Sequence, residues 1–247
     1  MALNSAKTKA MLVCSNRKAK KLDNRRESLN INLDGKTIET VKCAKLLGIH
    51  LDSNLTWNEH VEQTTKKINK RLGLLKRSKS FLTPKARIMF YNAVIQPVMD
   101  YGSCVWGDVS ASHNNTMVKL QKRAARIITN SAWDTPSGPL FDALGIVPFP
   151  ERVARAKATL MFKTLNNLVP GYLAQKFTRF NNIHDINTRN ADHNLLLPRA
   201  KQNYGKRTFK FSGAKLWNEL PKNLKETLNF QSFKNKLKSS SLVSVVY

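Results

Sequence analysis

Acidic side chains are scarce in this sequence: 16 Asp and Glu stand against 42 Lys and Arg in 247 residues, a formal charge of +26. A chain so unbalanced repels itself when compact and attracts polyanions, so RNA, DNA or an anionic membrane surface are the partners its composition admits. Cysteine is sparse too. Cys14, Cys43 and Cys104 are odd in number and far apart, and no CxxC or Cys/His cluster occurs. Neither a disulfide framework nor a zinc site is indicated, and a reducing compartment fits best, nuclear or cytoplasmic rather than secreted. Long apolar runs are missing, so no segment of about 18 apolar residues is available to span a membrane. The opening MALNSAKTKA lacks the apolar stretch of a signal peptide.

Several catalytic signatures are absent as well. There is no GxSxG elbow and no Walker loop. His50, His60, His113, His184 and His193 show neither HExxH nor Hx₃₋₅H spacing, so they read as surface or packing residues and no metal site is expected. Two-metal phosphoryl chemistry needs converging carboxylates. The nearest acidic pairs are Asp23/Glu27 and Glu59/Glu62. The second pair falls in the first turn of an expected helix, where carboxylates complement the helix dipole. No cofactor and no small-molecule substrate are implied by these residues.

Apolar residues make up 41% of the chain, enough for a core. The positive charge is spread among periodic segments: residues 1–80 carry 18 basic and 7 acidic side chains, residues 81–170 carry 10 and 5, and residues 171–247 carry 14 and 4. That is the pattern of charged faces on folded elements rather than of one basic tail.

The element pattern reads as α+β, mainly α. Leu29–Leu33 alternates, Asp34-Gly35 is a favoured hairpin turn, and Lys36–Val41 is the return strand. Lys45–Asp52 reads as a third strand. From Asn58 to Lys79, Val61, Thr65, Ile68, Leu72 and Leu75 recur at helical spacing. Thr83-Pro84 starts another helix, with Ala86, Met89, Phe90, Ala93, Val94 and Val98 on its apolar side and Pro97 expected to end or kink it. Ser112–Thr129 forms a third, with Met117, Leu120, Ala124, Ile127 and Ile128 inward. A short helix ends at Gly145, and Glu151–Leu168 forms a long one with Val153, Ala156, Leu160, Phe162 and Leu165 as core candidates. Beyond Pro170-Gly171 the pattern weakens: a short strand at Thr208–Phe211, then short helices at 214–220 and 232–238, and a frayed Ser239–Ser241.

Two basic stripes stand out. Lys66, Lys67, Lys70 and Arg71 crowd two turns of the first long helix, and Lys119, Lys122, Arg123 and Arg126 lie along the third. Spacings of three and four put most of each set on one side. Such stripes suit a phosphate backbone, where each neutralised phosphate releases counterions. A solvated face is the competing reading, weakened by the shortage of acidic neighbours. Trp57, Trp106, Trp133 and Trp217 have the rings to stack on bases, although tryptophan more often fills a core.

Taken together, the motifs resemble a known family. Asn4-Ser5-Ala6-Lys7-Thr8-Lys9 resembles the N-x-x-K-T-K run that follows the catalytic strands in reverse transcriptases of non-LTR (LINE-type, jockey-like) retrotransposons. Lys45–Asp52 with Leu55-Thr56-Trp57 and His60 is similar to their K-x-L-G-x-x-L-D…L-x-W-x-x-H segment. Tyr91, Ile95-Gln96-Pro97, Tyr101-Gly102, Val105-Trp106-Gly107 and the run Leu120–Ile128 continue the likeness. So do Phe211, Gly213, Leu216-Trp217-Asn218, Leu220-Pro221 and Phe233-Lys234.

The resemblance implies that this is the C-terminal part of an RNA-directed DNA polymerase, with the metal-binding aspartates of the palm expected before residue 1. It implies three regions: a palm remnant and primer-grip-like β unit at 1–57, a helical thumb-like and connecting domain at 58–170, and a loop-rich C-terminal region with short helices at 171–247. Lys7 matches a lysine proposed to assist pyrophosphate departure, a role open to it only if a palm is supplied. Residues 42–52, with Lys45, Leu46, Leu47 and Gly48, match the hairpin-like primer grip, which holds the primer end. The basic helices would track template and primer. The implied partners are RNA, DNA or an RNA–DNA duplex and the upstream part of the polymerase, with no membrane and no small molecule. Mg²⁺ belongs to the intact parent enzyme, and this chain alone is expected to be inactive. The alternatives are a translated mobile-element remnant with no selected function, and a subunit that needs a palm fragment in trans.

Overall fold

The computed structural model describes residues 4, 7–15, 18–21, 30–33, 35–107, 110–180 and 193–240. Leu29, the Asp34 position of the first turn, the Asp23/Glu27 pair, Arg25-Arg26, His184 and Ser241 lie outside these residues. Two compact units divide the chain, residues 1–69 and 70–247. The secondary structure is α+β and mainly helical, in agreement with the sequence pattern.

The first unit is built from short strands. The expected hairpin forms: β2 (Asn32–Leu33) pairs antiparallel with β3 (Lys36–Thr37). The following β4 (Glu39–Thr40) runs parallel to β1 (Lys9–Ala10), a pairing the local pattern does not reveal. The segment read as one strand is two. β5 (Cys43–Leu46) and β6 (Ile49–Asp52) pair antiparallel around Leu47-Gly48. Both turn residues have positive φ, 46° and 84°, the geometry of a two-residue turn that matches strand twist. The apolar alternation continues through the turn and conceals it.

Asp52 then organises the chain toward the first long helix, α1 (Asn58–Ser78). Its Oδ1 accepts from the Asn54 and Thr56 amides at 3.2 and 2.9 Å. Its Oδ2 accepts from the Trp57 amide at 2.6 Å. This carboxylate holds Leu55 and Trp57 at φ 52° and 65°, conformations costly for side chains of that size. His60 is buried, and its Nδ1 accepts the His50 amide at 3.3 Å, tying β6 to the start of α1. Val61, Ile68, Leu72 and Leu75 are buried at the spacing expected of α1.

The second unit is helical. α2 (Pro84–Phe90) starts as expected, with the Thr83 side chain accepting from the Ala86 amide. It passes through a π turn at Tyr91–Ile95 into α3 (Gln96–Asp100). Pro97 therefore does not end the helix. It sits in the first turn of α3, where a missing N–H costs nothing. The π turn also moves the buried face. Tyr91, Ile95 and Met99 are fully buried, whereas Met89 and Ala93, expected inward, are exposed. A turn holding more residues than an α turn keeps positions four apart in line.

Tyr101-Gly102 turns into α4 (Ser103–Trp106), a helix the sequence pattern does not announce. α5 (Ala111–Thr129) buries Met117, Leu120, Ala124, Ala125 and Ile128, with Asn130 closing it in the left-handed region. α6 (Ser137–Leu144) ends at Gly145, φ 61°. α7 (Phe149–Leu165) buries Val153, Ala154, Ala158, Met161 and Phe162, so Ala156 and Leu160 are only half-buried. Lys157 shares that buried face and donates to Ser212 Oγ at 3.1 Å.

Residues beyond 170 close the core on α7. After α8 (Gly171–Ala174) and α9 (Asn203–Arg207), Thr208–Phe211 is not a strand: α10 (Phe209–Glu219) begins there. Gly213, Ala214, Leu216 and Trp217 all face inward, and helical periodicity overrides the Phe-Lys-Phe alternation. α11 (Lys222–Lys225) and α12 (Phe230–Ser239) follow. Phe233 stacks on Phe162 at 4.5 Å between ring centroids. Asn218 clamps the Leu195 backbone from both sides, accepting from its amide at 2.8 Å and donating to its carbonyl at 2.9 Å. None of the three cysteines is fully buried.

Candidate nucleic-acid interface

The residues of the two basic stripes have different surroundings. In the first unit Lys66 and Lys67 are exposed. Lys66 Nζ lies 2.6 Å from Glu62 Oε1, and that hydrogen-bonded carboxylate pushes the lysine's pKa up. In the second unit Lys70 is exposed, but Arg71 is half-buried, and its Nη1 donates to the Val94 carbonyl. Its guanidinium holds α1 to the π turn. On α5, Lys119 and Arg123 are exposed and Lys122 is half-buried. Among the described residues Lys67, Lys70, Lys119 and Lys122 make no ion pair.

A groove in the second unit gathers part of this charge. Lys76 on the last turn of α1, Lys79 just after it, and Arg123 and Arg126 on α5 line a volume of about 410 Å³ together with Ile127, Ser131 and Trp133. Lys79 Nζ donates to Asn130 Oδ1 at 2.6 Å, joining the ends of the two helices. Two helix C-termini meet here, and cations in a last turn also complement the helix dipole. Four cations around one groove exceed what two helix ends require, and among the described residues no carboxylate lines it. The neighbouring Asp134 is exposed in the adjoining loop and is not part of the lining.

The sequence pattern points to Arg123 and Arg126 but passes over Lys76 and Lys79 as members of a site. The only signal for them is their position at the end of an amphipathic helix, where a lysine is unremarkable. The four tryptophans also separate. Trp106 and Trp217 are core residues whose indole N–H groups donate to the Tyr101 and His193 carbonyls at 2.8 and 3.0 Å. Trp57 is half-buried, whereas Trp133 is 86% exposed at the groove.

The primer-grip-like residues sit on the β5–β6 hairpin of the first unit. Lys45 and Leu46 end β5, and Leu47, 82% exposed, tips the turn with Gly48. Lys7 is exposed in a turn whose amides at Lys7 and Thr8 both donate to the Asn4 carbonyl at 3.1 Å. Among the described residues no three His, Cys, Asp or Glu side chains converge to hold a metal ion. Among the same residues no helix is long and apolar enough to cross a membrane.

Comparison with known proteins gives the chain a context. It is 31% identical over 128 residues to the Drosophila melanogaster protein named "Probable RNA-directed DNA polymerase from transposon BS". It is 30% identical over 94 residues to the "Probable RNA-directed DNA polymerase from transposon X-element" of the same fly. To the fly's "RNA-directed DNA polymerase from mobile element jockey" it is 28% identical over 106 residues. The matched stretches cover 51%, 37% and 42% of this chain but only 14%, 10% and 12% of those proteins. The likeness to transposon polymerases read from the motifs is thus borne out, over part of this chain and a minor part of each relative. No protein-family model and no solved structure matches the chain.

Proposed function

We propose that this chain is a nucleic-acid-binding part of a retrotransposon RNA-directed DNA polymerase, holding RNA, DNA or an RNA–DNA duplex by its phosphates and contributing none of the metal-binding carboxylates. The observation that carries this reading is the groove of Lys76, Lys79, Arg123 and Arg126, with no lining carboxylate among the described residues, in a chain of charge +26. Contacts from lysines and arginines to phosphates carry no sequence information, which suits a polymerase that must accept any sequence. Lys119 and Lys122 extend the α5 side of that surface, and Lys66, Lys67 and Lys70 are the corresponding candidates on α1. The polymerase reaction and its Mg²⁺ belong, in this reading, to residues other than those described. The exposed β5–β6 hairpin is the primer-grip candidate.

A salt titration tests the proposal. Binding of the full chain to a labelled duplex should weaken steeply with salt and be indifferent to sequence. Replacing Lys76, Lys79 and Arg123 with Gln should reduce the slope of log affinity against log salt by about 2–3, since each lost phosphate contact removes roughly 0.7–0.9. Arg126 is left intact because it also supports the fold. An unchanged slope would remove this groove from the interface.

A further inference from the structure

Trp133 has no evident structural reason to be where it is. An indole ring is among the most favourable groups to bury, and Trp106 and Trp217 do enter the core. Trp133 stays 86% exposed. A lone exposed apolar residue is ordinary on a protein surface, but this one lines the same groove as four cations.

Its loop is tied at both ends. The Ser131 amide donates to the Arg126 carbonyl at 3.0 Å, and the Thr129 and Ser131 hydroxyls meet at 2.7 Å. Arg126 Nε and Nη2 both donate to the Thr135 carbonyl, at 3.0 and 2.9 Å. The Thr135 amide closes a turn on Ala132 O at 3.3 Å. The loop is therefore set before any ligand arrives, and little ordering entropy remains to be lost on binding.

We infer, resting on the nucleic-acid reading above, that this groove takes a single-stranded stretch, with Trp133 stacking on an unpaired base while Lys76, Lys79, Arg123 and Arg126 hold the flanking phosphates. A paired and stacked base presents only its edges in a groove. An unpaired base presents a π-face, and stacking on an exposed aromatic ring beside cations is how proteins hold single strands without reading their sequence. Arginines in the same lining add cation–π attraction to that stack. The chain thus distinguishes unpaired from paired nucleic acid at one residue.

Anisotropy titrations of the full chain test this with three probes: a single strand of about a dozen nucleotides, a blunt duplex of similar length, and an abasic strand that keeps the phosphates but has no bases. Trp133→Ala should bind the single strand about ten-fold more weakly, with the salt slope unchanged and duplex affinity within about two-fold. Trp133→Phe should keep most of the affinity. The abasic strand should bind wild type about ten-fold more weakly than the normal strand, and the alanine variant should no longer tell the two apart. Trp133 is exposed, so neither replacement threatens folding. If the alanine variant binds the single strand as wild type does, with a steep salt slope, stacking is wrong and the phosphate reading stands. If wild type binds neither strand nor duplex, or binds without salt dependence, the phosphate reading fails and this inference falls with it.

Discussion

Arg126 donates from both Nε and Nη2 to one oxygen, the carbonyl of Thr135. The fork fixes the loop that carries Trp133, so a residue of the basic stripe is also a structural brace. A lysine cannot reproduce this geometry, since it lacks the planar pair of donors. Arg126→Lys should keep the charge, speed amide hydrogen exchange at residues 131–135, and lower stability by about 1 kcal/mol. Unchanged exchange in that segment would show that the fork does not hold the loop.

The buried amide of Gln121 gives a sharper test of the helical unit. Its Nε2 donates to Tyr91 Oη and to the Val147 carbonyl at 3.2 and 3.0 Å, and its Oε1 accepts from the Phe149 amide at 2.7 Å. One side chain thereby joins the π turn, α5 and the start of α7. Gln121→Leu leaves those buried partners unsatisfied, and the expected loss is roughly 2–4 kcal/mol, measured by urea unfolding. A loss below about 1 kcal/mol would mean that the partners find other bonds.

Gln121 also shows why some of the chain was legible and some was not. The run Leu120–Ile128 suggested a charged nucleic-acid helix, yet half of what marks it is packing: Gln121, Ala124, Ala125 and Ile128 are all buried. Gly107 is similar. A Cβ there would lie 2.5 Å from both Ser103 O and Val153 Cγ2, so Val105-Trp106-Gly107 reflects close helix packing. Strong amphipathic periods placed α1, α5 and α7 from sequence. The π turn at Tyr91–Ile95, the Leu47-Gly48 turn and the start of α10 depend on contacts distant in the chain or on backbone geometry that alternation conceals. At the groove, Arg123 and Arg126 were visible as a stripe. Lys76, Lys79 and the exposure of Trp133 emerge only when two helix ends and a loop come together.

Leu47 occupies a left-handed turn position at φ 46° with its side chain largely in solvent. Leucine pays about 1 kcal/mol for that conformation and glycine does not. Leu47→Gly should therefore be neutral to stabilising by up to about 1 kcal/mol in thermal unfolding, the relief of strain offset by greater freedom of the unfolded chain. A clear destabilisation would show that the leucine side chain supports the first unit. Stabilisation accompanied by weaker primer-end binding in a reconstituted polymerase would instead support the grip role and mark strain retained for function.

His60 makes the first unit sensitive to acid. Burial, followed by His50 and Lys67, lowers its pKa from 6.5 to about 4, so its neutral Nδ1 is able to accept the His50 amide. As the pH falls below 6.5 the unfolded chain binds a proton that the folded chain refuses. Stability should then decline from pH 6.5 toward about 4, and the decline attributable to this residue should level off below that. The total contribution is roughly 1–3 kcal/mol. His60→Gln keeps an acceptor for the His50 amide without a titrating ring, and should lose stability at neutral pH yet show a flatter profile. Urea unfolding of both proteins at about pH 7 and about pH 4.5 compares the two slopes over the affected range. Equal slopes would show that the histidine is protonated in the folded protein and that the β6–α1 tie is made some other way.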